Sequence, residues 1–228
     1  MVHLFRYTLL LAIVVLSRFA APAQQIYTTE AGFYGGGSYF TGDANKAVLA
    51  GMQQDFGLTL RYVFNQRIAL HADYHQTNAA GSYTSYFPGL FPGSMQVDQP
   101  LSLLDVTMAF NFFDYGYLEH VMYSSNITPY LFAGIGGVLY PQATNERWGF
   151  TLPFGMGMKV RLSPRLHLNV QWTHRLFAGS DRIEGRDELD NPLQLNGSNW
   201  LNNDNAGSLS VGISIGLTQR NCKCQNYQ

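Results

Sequence analysis

Residues 56–74 read FGLTLRYVFNQRIALHADY, and both halves of this stretch alternate between oily and polar side chains. Phe56, Leu58, Leu60, Tyr62 and Phe64 point one way, while Gly57, Thr59, Arg61 and Val63 point the other. After a tight turn at Asn65-Gln66, Ile68, Leu70, Ala72 and Tyr74 resume the oily face, set against Ala69, His71, Asp73 and His75. A period of two marks β-strands, because successive side chains leave opposite faces of the pleat. The stretch therefore predicts a hairpin. Two solvents fit its oily face: the core of a soluble sheet, or the lipid around an outer-membrane barrel whose charges fold inward.

The N-terminus narrows the choice. His3 and Arg6 precede an apolar run over 8–17, and Ala21-Pro22-Ala23 supplies small residues in an A-x-A arrangement. This is the anatomy of a cleavable secretory signal, predicted over 1–23. A membrane anchor would need roughly 20 apolar residues, about twice this run. No later stretch is apolar for long enough to be a membrane helix, so any spanning must be done by strands. Residues 24–218 are expected to form one domain, followed by a short periplasmic tail over 219–228.

Composition points the same way. Charged residues make up 13% of the chain and aromatics 14%, with 23 glycines, whereas soluble domains carry about a quarter charged residues. An oily outer wall around a narrow interior accounts for all three. The net charge of −1 gives no ground for a nucleic-acid partner. The two cysteines, Cys222 and Cys224, fall in the tail as C-x-C. Such a pair closes only a small strained loop and is an incomplete zinc site. It reads as an exposed tail, with bridging to a partner or a second copy as the alternative.

The alternation recurs along the chain at 30–39, 103–112, 154–162, 166–175 and 208–217. Residues 128–139 (TPYLFAGIGGVL) are apolar on both faces, so the sequence leaves their orientation open. With the hairpin this gives eight candidate strands, most near the ten or so residues that a tilted membrane strand needs. Short links at 65–67 and 163–165 and a moderate one at 114–127 alternate with longer ones at 41–53, 78–100, 141–148 and 178–205. That asymmetry is expected when one barrel end carries periplasmic turns and the other extracellular loops. Phe64, Phe112, Phe113, Tyr115, Tyr117 and Tyr130 fall near the short-turn end. Tyr39, Phe40, Tyr74, Tyr140, Trp148, Phe150 and Phe177 fall near the other, so two aromatic girdles are predicted. The fold class is an all-β, eight-stranded antiparallel transmembrane barrel in the outer membrane of a Gram-negative bacterium, with outer-membrane lipids around it.

In such a barrel Glu30, Asp73, Asp105, Arg61, Lys159, Arg161, Arg175, His71, His75 and His167 would converge inside. Eight strands leave just enough width for side chains to fill, and buried ions need partners. The interior is thus expected to be a polar plug of salt bridges in place of an oily core, with no open pore. His71-x-Asp73-x-His75 sets three potential metal ligands on one strand face, but i and i+2 neighbours lie well apart and a further ligand is needed. Interior hydrogen bonding is the simpler reading. No metal, cofactor, small-molecule substrate or catalytic site is assigned.

Some small outer-membrane barrels deacylate lipid A through a His-x-Ser motif. No histidine here has serine two positions on, although His174 falls on the lipid side near Ser180 and Asp181. YFTGD at 39–43, GLTLRYVFNQRIAL at 57–70, FNFFDYG at 110–116, TPYLFAGIGG at 128–137 and PFGMGMKVRLSPRLHLNVQWTHR at 153–175 resemble the PorG-like barrels of the type IX secretion system. PYLFAGIGG and the RLSPRL turn also resemble OmpA-like barrels in general. Where the PorG-like family typically shows a Thr-Asp-Tyr-x-Asp-like run after the seventh strand, Ser180-Asp181-Arg182-Ile183-Glu184 keeps little beyond Asp181. The resemblance implies a non-enzymatic barrel that docks periplasmic secretion-ring lipoproteins through its short-turn side, including 114–127 and the tail. The alternatives are a general OmpA-like surface barrel serving envelope integrity or adhesion, and a lipid A-modifying enzyme.

Overall fold

A computed structural model of the chain describes residues 28–41, 51–84, 94–115, 125–140, 148–163, 165–178 and 205–217, apart from Pro164 and without the side chains of 82–97 and 178. The leader, Tyr117, the segment from Ser180 to Glu184, and the tail with Cys222 and Cys224 lie outside the described residues. Eight strands run in chain order: β1 (Thr29–Thr41), β2 (Gln53–Val63), β3 (Ile68–Thr84), β4 (Ser94–Asn111), β5 (Ile127–Leu139), β6 (Trp148–Arg161), β7 (Leu166–Ala178) and β8 (Asn205–Gly216). Each pairs antiparallel with its sequence neighbour, and β1 closes on β8, with Glu30 opposite Gly216 and Thr41 opposite Asn205. Closure removes the edges that an open sheet would leave unpaired.

The turns form for local reasons. Asn65 Oδ1 accepts hydrogen bonds from the backbone N–H of Arg67 at 2.8 Å and of Ile68 at 2.7 Å, an Asx turn that fixes the β2–β3 register. Ser163 Oγ plays the same part at the β6–β7 turn, accepting from Leu166 N–H at 3.2 Å.

The opening hairpin takes the orientation of a membrane barrel. Phe56, Leu58 and Leu60 are 58%, 62% and 51% exposed on the outer wall, while Arg61, His71, Asp73 and His75 are buried inside. The β5 stretch also resolves: Tyr130, Phe132 and Val138 face inward, and Leu131, Ile135 and Leu139 face out. Narrow walls are accommodated by pairing inward glycines with inward rings. Gly157 lies opposite Tyr130 and Gly57 opposite Tyr34, and a Cβ at either glycine would overlap the facing ring.

Two expectations need correction. The segment 78–100 is not wholly a loop: β3 continues to Thr84 and β4 begins at Ser94, with the two paired throughout. Oil-and-polar alternation marks a strand only where its two faces meet different solvents, and that contrast fades beyond the lipid. The girdles are also thinner than expected. Phe64, Phe112 and Phe113 at one end and Tyr74, Trp148 and Phe150 at the other are exposed, but Tyr115, Tyr130, Tyr39, Phe40, Tyr140 and Phe177 are buried. Phe40, Tyr130 and Phe177 share the inward parity of their strands. Phe40, Tyr140 and Phe177 join Ala79, Leu101, Leu103, Val138 and Ala206 in one apolar cluster at the long-connection end. The interior is therefore polar over most of its height and oily at one mouth.

Candidate functional site

Inward parity on all eight strands brings the predicted interior residues together, and they sort into layers. Nearest the short turns, Lys159 Nζ donates to Glu30 Oε1 and Oε2 at 2.5 and 2.6 Å, and Arg61 Nη1 donates to Glu30 Oε2 at 3.4 Å. Arg61 also reaches Asn169 Oδ1 at 3.4 Å, and its guanidinium lies 5.5 Å from the Tyr130 ring centre. Lys159 Nζ sits 4.9 Å over the ring of Tyr115. Two cations thus share one carboxylate, with aromatic faces taking up part of the excess positive charge.

Tyr115 closes this layer from below. Its hydroxyl lies 2.5 Å from His167 Nδ1. Burial pushes the phenol above its ordinary range, reinforced by the charge of Glu30. The phenol therefore keeps its proton, and which atom donates in this contact follows the imidazole tautomer.

Higher up, Arg175 Nε donates to Asp105 Oδ2 at 2.7 Å and Nη1 donates to Ser208 Oγ at 3.1 Å. His75 Nδ1 faces Asp55 at 3.3 Å, its Nε2 lies 4.0 Å from Asp105 Oδ2, and the Tyr34 ring packs 4.7 Å away. Asp55 belongs to this network although the sequence reading missed it. It precedes Phe56, the first residue of the alternating stretch, yet shares the parity of Arg61. Arg161 stands at the rim instead, only half-buried and bonded to Asn126.

The three side chains of His71-x-Asp73-x-His75 all point inward but meet different surroundings. His71 packs 5.9 Å from the Tyr130 ring and 6.4 Å from that of Phe132, whereas His75 joins the upper carboxylates. Among the described residues, no three His, Cys, Asp or Glu side chains are grouped so as to hold a metal ion.

Between the two ion layers lies a cavity of about 10 Å³, lined by Tyr34, Thr59, Arg61, Asn169, Gln171 and Ser210 among others. That is room for a single water at most. A conduit would need connected spaces of this kind through both ion layers and the apolar mouth. On the outer wall, His174 lies between Phe154 and Trp172, at 5.3 and 5.9 Å between ring centres. Its two envisaged partners, Ser180 and Asp181, fall outside the described residues.

An oily outer wall, a charged interior and complete closure define a small outer-membrane β-barrel, and the protein resides in that membrane. The chain belongs to the family described as a domain of unknown function, DUF6089, whose model matches residues 6–226. No curated protein matches it. Among solved structures it is similar to Neisserial surface protein A (NspA), at 11% identity and a TM-score of 0.52 over 83% of this chain and 97% of that one. It is also similar to the N-terminal β-barrel domain of Pseudomonas aeruginosa OprF, at 12% identity and a TM-score of 0.44 over 84% of this chain and 100% of that one. For Ail of Yersinia pestis the identity is 14% and the TM-score 0.44, over 83% of this chain and 97% of that one. Likeness at such identities speaks for the fold alone.

Proposed function

We propose that the protein is a non-enzymatic component of the type IX secretion machinery, a membrane-embedded platform that docks periplasmic ring lipoproteins at its short-turn end. The observation carrying the platform reading is the filled interior. Ion layers and an apolar mouth leave the two ends of the barrel as its working surfaces. The choice of machinery rests on the resemblance of 39–43, 57–70, 110–116, 128–137 and 153–175 to PorG-like barrels. The short-turn end offers a built surface. Arg67 Nε bonds Asp114 Oδ1 at 2.6 Å, and Tyr115 is anchored both to His167 and by a bridge to Ser125. These contacts tie the ends of the 114–127 connection to the barrel floor.

Deletion of the gene should abolish release of type IX cargo into the medium, and pull-down of the tagged barrel should recover ring lipoproteins. Unchanged export would overturn the assignment. A second reading, a general OmpA-like surface barrel for envelope integrity or adhesion, draws on the β3–β4 ribbon. Its pairing runs from Thr77 opposite Leu101 to Thr84 opposite Ser94, past the last register pairs with β2 and β5. Normal export combined with detergent sensitivity or lost surface attachment in the deletion strain would favour that reading.

A further inference from the structure

Unpaired polar atoms inside the barrel concentrate on one patch of wall. Among the described residues, Asp105 Oδ1, Thr107 Oγ1, Thr151 Oγ1 and Arg175 Nη2 are buried without a hydrogen-bond partner. The strand registers bring these four residues together. Asp105 lies opposite Gly136, and Gly136 opposite Thr151. Two residues nearer the short turns, Thr107 lies opposite Gly134 and Arg175 opposite Pro153. Buried polar atoms left unpaired are costly, so a cluster of them calls for a common partner.

The patch coincides with a fault in the β5–β6 ladder. Pairing runs to Ala133 opposite Phe154 and resumes at Gly136 opposite Thr151. Pro153 accounts for the gap. Arg161 N–H donates to the Asn126 carbonyl at 2.8 Å, and bonded pairs recur at every second residue of an antiparallel ladder. Gly134 and Pro153 fall in that series, yet proline has no N–H to give the Gly134 carbonyl. In a wall that faces lipid, bulk water cannot replace the lost bond from outside.

The side-chain geometry fits a small bridging molecule. A Cβ at Gly136 would collide with both Asp105 Oδ1 and Thr151 Oγ1, so the glycine lets two oxygens lean over the same backbone atom from either side. Arg175 supplies a donor beside them. Its Nε bonds Asp105 Oδ2 at 2.7 Å. Nη2 lies on the same edge of the guanidinium, so the second donor of the fork and the second carboxylate oxygen are both left over next to that bond. A cation would suit the oxygens but would stand beside Arg175 and leave Nη2 unserved. Water accepts from Nη2, donates to Oδ1 and to a carbonyl, and meets a hydroxyl in either role.

We infer that the β5–β6 seam is a built hydration site, in which bound water at Gly134 and Gly136 bridges Asp105, Thr151 and Arg175 and supplies the donor that Pro153 lacks. The site is separate from the cavity between the ion layers, which is lined by Arg61, Gln171 and Ser210 among others. Water held by several polar groups in this way is part of the plug.

The test uses the refolded full chain in nanodiscs, with water-to-amide magnetisation transfer read by NMR. Amides of Gly134 and Gly136 should show persistent cross-peaks to bound water, while Gly157, covered by the Tyr130 ring, should show none. Thr151→Val keeps the side-chain shape without the hydroxyl and should remove the Gly136 cross-peak. Gly136→Ala should remove it too, by placing a methyl between the two oxygens. Pro153→Ala returns an N–H to the ladder and should remove the Gly134 cross-peak while sparing that of Gly136. Heat-dependent gel shift confirms that each variant is folded. Replacing sodium by choline in the buffer should change nothing. Cross-peaks that require sodium would assign a cation and overturn the proposal. So would a wild type without cross-peaks at Gly134 and Gly136, or cross-peaks at Gly136 that survive Thr151→Val.

Discussion

The two ends of the barrel interior solve the same packing problem with opposite chemistry. Toward the short turns, Glu30 is clasped by Lys159 and Arg61, with Tyr115 and His167 beneath. Toward the long connections, Phe40, Leu101, Leu103, Tyr140 and Phe177 fill the mouth with oil. Ion pairs hold their geometry through directional bonds but require every member, since removing one strands the others without a counter-charge. An apolar cluster is less directional and loses stability in proportion to the volume removed. The short-turn floor is thus held by directional ion pairs, and the opposite mouth by apolar packing.

This contrast can be broken at several points. The largest effect is expected from Glu30→Ala, which leaves Lys159 and Arg61 buried without their carboxylate and should cost about 4 kcal/mol. Urea unfolding in lipid vesicles, followed by tryptophan fluorescence, measures it. Leu103→Ala at the apolar mouth should cost about 3 kcal/mol in the same assay. If it cost less than 1 kcal/mol, the mouth would not be a packed core. Gly157→Ala drives a methyl into the Tyr130 ring and should cost about 2 kcal/mol, with a slower refolding gel shift as a second readout. The smallest effect belongs to Arg67→Ala. Its pair with Asp114 is half-exposed, so about 0.5 kcal/mol is expected, and less in high salt. A loss as large as that of Glu30→Ala would erase the distinction between floor and rim.

How much of this was legible depended on whether two faces of a strand meet different solvents. Phe56 to Tyr74 could be read because lipid and a polar interior impose opposite demands on alternate residues. Residues 78–84 and 94–100 could not, because that contrast fades above the membrane and their strand character rests on pairing with each other. Phe40 and Phe177 read as girdle residues because an aromatic near a strand end looks alike facing in or out. Parity with Glu30 and Arg175 carried the answer. Asp55 escaped because its strand begins earlier, at Gln53, than the alternation that revealed it. The surroundings of His174 were only half visible. Its lipid-facing position followed from parity, but Tyr39 lying over Gly207 to reach Trp172 joins three strands that no local pattern links. Partner-facing residues are the least legible of all, since connections carry no periodicity.

The central claim is that this barrel works by its ends and not through its interior. Single-channel recording in planar bilayers tests it most directly. Refolded wild-type protein, verified by gel shift, should give no steady conductance, because two ion layers and the apolar mouth block the axis. A stable, voltage-independent open channel in every insertion would contradict the account.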